Sequence, residues 1–186
     1  MAKLVYIMQT SLDGYVEDEH GNFDWSVPAE DVNTYINELS SSVGTFLYGR
    51  RMYEAMVYWE AEYARHNPQQ FHLDWAKAWQ ATEKIVYSST LAEPRSARTR
   101  IERAFDPEAV RRLKQAAERD ISVNGPNLAA HALRAGLVDE IQMIVGPAVV
   151  GGGKPFFPDG VRLKLELIEE RAFRNGVFAV RYAVRG

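Results

Sequence analysis

The chain has 186 residues, 46% of them hydrophobic and 25% charged, with a formal net charge of −3 and no cysteine. That is enough apolar material for the full core of one compact domain, while the negative charge argues against a nucleic-acid partner held by phosphate neutralisation. No apolar run approaches the length that spans a bilayer, the lack of cysteine excludes disulfides and thiolate chemistry, and the opening MAKLVYIMQT has no signal-peptide core, so the expected compartment is the cytoplasm.

Residues 4–8 are a continuous apolar run of strand length, which predicts a first strand in the sheet interior, covered on both faces. Ser11-Leu12-Asp13-Gly14 then closes a turn that Asp13 caps through its own backbone, and Tyr15-Val16 with His20-Gly21-Asn22 predicts a loop folding over the end of the sheet. Pro28-Ala29-Glu30-Asp31 opens a helix with Ser26 as its cap and Val32, Tyr35, Ile36 and Leu39 as its buried stripe. Glu30 and Asp31 lie in the first turn, where the helix dipole favours the carboxylate form.

Residues 45–48 read as the second strand, turned into another helix by Gly49-Arg50-Arg51. Within an aromatic region that also holds Trp59 and Tyr63, Phe71, Trp75 and Trp79 fall four apart on a helix starting near Pro68 and form a stripe. It is read as packing, with a pocket cap or a subunit contact as the alternatives. His66 and His72 lack metal-ligand spacing and are read as surface, so no metal site is expected. Residues 84–90 form a strand ending in the hydroxyls of Ser88 and Ser89, followed by Arg95, Arg98, Arg100 and Arg103. Asp106-Pro107-Glu108 starts a helix, with Asp106 as cap and Val110, Leu113 and Ala117 as its stripe.

The most informative stretch is residues 121–157. Ile121-Ser122-Val123 stops at Asn124-Gly125-Pro126, after which Leu128, Ala132 and Leu133 recur at helical spacing until Gly136. Such a strand–glycine–helix unit leaves the first helical N–H groups, here at Asn127 and Leu128, without intrahelical partners and aimed beyond the sheet edge. Gly125 offers close backbone approach, and Pro126 forgoes an N–H that would be unpaired anyway. Gly151-Gly152-Gly153-Lys154 is not a phosphate-binding P-loop, because Pro155 stands where Ser or Thr is required and Ala148 replaces the first glycine. Two alternating runs, residues 164–168 and 177–184, joined near Asn175-Gly176, predict a closing antiparallel hairpin.

GPNLAAHAL, then GLVDEI, then VGPAVVGGGKPFF resembles the C-terminal reductase domain of the bifunctional riboflavin-biosynthesis deaminase/reductase, a relative of dihydrofolate reductase. Ser-Leu-Asp-Gly after the first strand resembles the same family's opening. The Gly49-Arg50 turn is similar to the Gly-Arg-x-Thr-x-Glu cofactor turn of dihydrofolate reductases, with Met52 in place of Thr, and Ile85-Val86-Tyr87-Ser88-Ser89 is similar to the strand end that holds the adenosine 2′-phosphate there. The resemblance implies NADPH as cofactor, held by Gly49, Arg50, Arg51, Ser88, Ser89, Gly125, Pro126, Asn127 and Leu128. It also implies a substrate-orienting carboxylate from Glu30 or Asp31, carried with Asp13 as the candidate catalytic acids, and a homodimer. The sequence departs from the riboflavin pattern where that family holds its ribose-phosphate substrate: Val123 replaces a Glu, and an Arg in the first long helix and an Asp-x-Pro segment have no counterpart.

The expected fold is α/β, dihydrofolate reductase-like, with a mixed and mostly parallel sheet flanked by helices over residues 1–186. The junctions after Met8, Tyr48, Tyr87 and Val123 are expected along one sheet edge, where one extended nucleotide would touch them all. The expected activity is NADPH-dependent reduction of a small heterocycle. The alternatives are a dihydrofolate or other pterin reductase, and a non-catalytic nucleotide-binding protein.

Overall fold

The computed structural model of the protein describes residues 1–26, 29–61 and 69–185, so Pro28, Tyr63, His66 and Pro68 lie outside the described residues. Its strands are β1 (Leu4–Thr10), β2 (Tyr15–Glu17), β3 (Val43–Gly49), β4 (Glu83–Tyr87), β5 (Thr99–Glu102), β6 (Asp120–Asn124), β7 (Glu140–Val145), β8 (Lys154–Pro155), β9 (Lys164–Ala172) and β10 (Phe178–Arg185). The helices are α1 (Glu30–Ser40), α2 (Arg50–Met56), α3 (Tyr58–Ala61), α4 (Gln70–Ala81), α5 (Pro107–Ala116) and α6 (Pro126–Arg134).

Eight strands form one sheet in the order β5-β4-β3-β6-β1-β7-β10-β9. The first six of that order are mutually parallel; β10 runs antiparallel to β7, and β9 antiparallel to β10. The continuous apolar run of β1 fits its central place between β6 and β7, with Leu4, Val5 and Tyr6 all buried.

Because strand side chains alternate, each face has its own core. Leu47, Ile85, Ile121, Val123 and Ile141 pack with Val110 of α5 and with Leu128, Ala129, Ala132 and Leu133 of α6. On the opposite face, Phe46, Tyr48 and Val86 pack with Tyr53 of α2 and Trp79 of α4, and Ile144 packs with Val32 and Tyr35 of α1. The Trp79 indole N–H donates to the Tyr48 hydroxyl at 3.1 Å, which satisfies two polar groups in a dry interior.

Several expectations are corrected. Helix α1 starts at Glu30, with Ala29 and not Ser26 at the cap position. Helix α5 is capped as expected, Asp106 Oδ1 accepting from the Glu108 N–H at 2.9 Å. The closing hairpin turns at Asn175-Gly176 as expected but through three residues, 174–176, and is closed by the Phe173 N–H donating to the Val177 carbonyl at 2.8 Å; Phe173 and Val177 pack against Val32 and Tyr35. Strand β5 was missed, since half of its residues are exposed and it carries two charges in four positions.

The small second sheet pairs β2 with β8. Gly153 makes it possible: a Cβ there would lie 2.1 Å from the Glu17 carbonyl oxygen, at a φ of +133°. The segment is also anchored from below, where the Tyr6 hydroxyl donates to the Phe156 carbonyl at 2.9 Å and the two rings stack at 4.1 Å.

Candidate functional site

The junctions after β4, β3, β6 and β1 belong to four strands that are neighbours in the sheet. At about 4.8 Å per strand they cover roughly 14 Å of one edge, the carboxyl edge where open α/β sheets collect ligands. A cleft of about 940 Å³ opens there. Gly49, Arg50, Arg51, Ser88, Ser89, Gly125, Pro126, Asn127 and Leu128 all line it.

On the β4–β5 side, the Arg50 guanidinium donates to the Thr90 hydroxyl at 2.6 Å and to Glu54 at 2.8 Å, bridging the end of β3 to the loop after β4. Ser88 is buried, and its hydroxyl accepts from the Leu91 N–H at 3.0 Å and the Thr90 N–H at 3.3 Å, so it shapes that loop. Ser89 is exposed beside it. Arg103 donates to the carbonyls of Ser88 at 3.1 Å and Leu91 at 2.7 Å, which holds a guanidinium in the cleft wall. Tyr87, Phe105 and His131 make a row of rings there, with centroids 5.4 Å and 5.7 Å apart.

At the β6–α6 junction, Gly125 adopts a φ of +97°, a conformation that disfavours any side chain, and a Cβ would come within 3.4 Å of Met52 Cβ. Its N–H points at Met8 Sδ, 3.3 Å away. Met52 and Gly125 thus bring the two glycine turns into contact. Across the cleft, Glu17 pairs with Arg51 at 3.4 Å and with Lys154 at 3.7 Å. The described lining therefore holds four permanent cations, Arg50, Arg51, Arg103 and Lys154, against the single carboxylate of Glu17.

The other half of the cleft lies between α1 and α4. Asn33, Ile36, Asn37 and Ser40, spaced along one face of α1, look across at Trp59, Phe71, His72 and Trp75. Asn37 donates to the Phe71 carbonyl at 3.0 Å, and Trp75 lies 6.1 Å from Phe46 and 6.4 Å from Trp59, centroid to centroid. The aromatic stripe is thus divided: Trp79 is core, while Trp75 and Phe71 are cleft wall. His72, expected at the surface, packs 5.7 Å from Trp59 and lines the cleft.

Asp13, Glu30 and Asp31 are exposed and are not among the lining residues. Asp13 accepts from the backbone N–H groups of Val150 at 3.2 Å and Gly151 at 2.8 Å, tying the β1–β2 turn to the glycine-rich loop. Its interaction with Ser11, together with these bonds, holds its carboxyl below the usual range. Sequence reasoning missed Glu17, Lys154 and His131 as lining residues. Lys154 was visible only as part of a rejected P-loop, and Glu17 as part of a loop.

The RibD C-terminal domain family matches residues 2–179. The chain belongs to that family. It is 27% identical over 186 residues to the uncharacterized protein YyaP of Bacillus subtilis (strain 168), covering 99% of this chain and 96% of that one. Among solved structures, a putative riboflavin biosynthesis protein from Shewanella sp. PV-4 superposes with a TM-score of 0.77 at 21% identity, covering 100% of both chains. The deaminase/5-amino-6-(5-phosphoribosylamino)uracil reductase of Thermotoga maritima gives 0.68 at 14% identity, covering 99% of this chain and 57% of that bifunctional chain. These likenesses establish a reductase fold of the RibD kind.

Proposed function

We propose that the protein is a cytoplasmic NADPH-dependent reductase of a small heterocyclic substrate, related to the reductases of riboflavin biosynthesis. The observation that carries this reading is the charge of the cleft. Four permanent cations face one carboxylate in its described lining, although the whole chain has a formal charge of −3. A polyanionic ligand fits such a wall.

The residues fit the cofactor in kind as well. Arg50 and Arg103 offer guanidiniums to phosphate oxygens, and bidentate guanidinium–phosphate contacts are among the stronger hydrogen bonds available. Gly125 brings no side chain of its own to the start of α6, where phosphate or ribose would approach the backbone N–H groups of Asn127 and Leu128. The row Tyr87, Phe105 and His131 gives a flat base a surface to stack on. When bound, NADPH supplies the hydride; the protein's part is to hold and orient it and to exclude water.

We also propose a homodimer. Trp59, Phe71 and Trp75 face the cleft, which leaves β9 as the fitting surface: it is the sheet's last strand and exposes Leu165, Leu167 and Ile168. The reductase reading is tested by NADPH oxidation against a panel of pterins, flavins and ribosylaminopyrimidines. Turnover with one class supports it, and NADPH binding with no turnover across the panel favours a nucleotide-binding protein.

A further inference from the structure

We infer that the α1–α4 half of the cleft takes an uncharged, planar heteroaromatic compound that carries no phosphate. This deepens the reductase reading and rests on it for the word substrate. The wall contributed by α1 consists of two amides, an isoleucine and a hydroxyl: Asn33, Ile36, Asn37 and Ser40. Opposite stand Trp59, Phe71, His72 and Trp75, with Phe46 and Met56 completing the surround. His72 is the one titratable group among these described residues, and none of them bears a permanent charge.

Charge decides between two kinds of occupant. Helix α1 has the sequence EDVNTYINELS, with three carboxylates and no basic residue, so its field opposes an anion at that wall. The four cations are carried by the strand ends, by α2 and by β8, and none by α1, α3 or α4. Among the described residues, a phosphate placed between α1 and α4 would find no cationic partner in exchange for the water it loses. A flat neutral ring instead finds aromatic faces to stack on and amides to hydrogen-bond its edge. Phosphate and ring are thus assigned to opposite halves, the phosphates of the cofactor to one and the ring to be reduced to the other.

Riboflavin and flavin mononucleotide form a test pair that differs by one phosphate. Calorimetric titration of the protein, with and without excess NADP⁺, should give at least about tenfold tighter binding of riboflavin. Trp75→Ala should weaken riboflavin by about tenfold while leaving NADPH affinity within about twofold. Because Trp75 also packs against Phe46, Ser40→Arg serves as the second variant. It adds the missing cation at the end of α1, where the helix dipole favours it, and should improve flavin mononucleotide relative to riboflavin by about tenfold. Equal or tighter binding of flavin mononucleotide by the wild type overturns the inference, as does failure of both flavins to bind. A separate NADPH titration keeps the two claims apart. NADPH binding with flavin mononucleotide preferred overturns this assignment alone, while riboflavin preference without NADPH binding supports the compartment and overturns the reductase reading.

Discussion

The Arg50 guanidinium donates a 2.6 Å hydrogen bond to the Thr90 hydroxyl, so the first residue of α2 is fastened to the loop beyond β4. A charge that would otherwise swing free is held between two adjacent strand ends, beside Arg103. Arg50→Gln and Arg103→Gln should each weaken NADPH binding by about 1.5–3 kcal/mol, the usual worth of a charge-assisted contact, and affect NADH less. Fluorescence titration of both cofactors against both variants checks this. A uniform loss for NADPH and NADH would mean that the arginines hold the shared diphosphate and do not select the 2′-phosphate.

The φ of +97° at Gly125 changes what a substitution there reports. Gly125→Val should lower stability by roughly 1–3 kcal/mol through backbone strain, and also weaken NADPH. Melting temperature and NADPH affinity must therefore be measured together. Wild-type stability in the variant would show that the turn relaxes around a side chain; wild-type affinity in the folded fraction would remove the turn from the binding site.

Gly153 supports the opposite wall. Gly153→Ala forces a carbon toward the Glu17 carbonyl, so the β2–β8 ladder should open and carry Glu17 and Lys154 away from Arg51. A weakened NADPH affinity with a modest drop in melting temperature is the expected result, since the eight-stranded sheet is untouched. An unchanged affinity would remove Lys154 from the cofactor's charge environment.

Lys84 gives the protein an unusual alkaline response. Its ammonium is buried, donates to the carbonyls of Trp79 at 2.8 Å and Thr82 at 2.7 Å, and lies 4.3 Å from the Trp79 ring centroid. Burial lowers its pKa to about 8. The unfolded chain binds this proton up to about pH 10.5 while the fold releases it from about 8, so stability should rise with pH in that interval. Lys84 alone contributes about 2.5 kcal/mol to stability between pH 7 and 10. Burial pushes Tyr35 and Tyr87 up to about 12 and raises Tyr6 and Tyr48 further, so the trend reverses from about pH 9.5, where only the unfolded tyrosines ionise. Urea denaturation should show the rise in wild type and not in Lys84→Met; parallel pH profiles would contradict the assignment.

Much of this architecture was written in local patterns. The four strand–turn junctions and the glycine turns were readable because apolar runs and glycine punctuation are local properties. The cleft's α1 wall was not readable, because which face of an amphipathic helix looks into a pocket depends on where its neighbours sit. Glu30 and Asp31 stand at the helix start, as the pattern indicated, yet the face toward the cleft carries Asn33 and Asn37. His72 was misjudged for the same reason: its role comes from Trp59 and Phe71 packing around it. Glu17 and Lys154 meet only through a two-residue strand, a pairing no periodicity announces.

The central claim is that the cleft at the carboxyl ends of β1, β6, β3 and β4 holds NADPH. Equilibrium titration of the wild-type protein with NADPH and NADH, followed by cofactor fluorescence at low ionic strength, tests it most directly. The account predicts saturable binding of one NADPH per chain, at least about tenfold tighter than NADH. Absence of saturable NADPH binding, or equal affinity for the two cofactors, would contradict it.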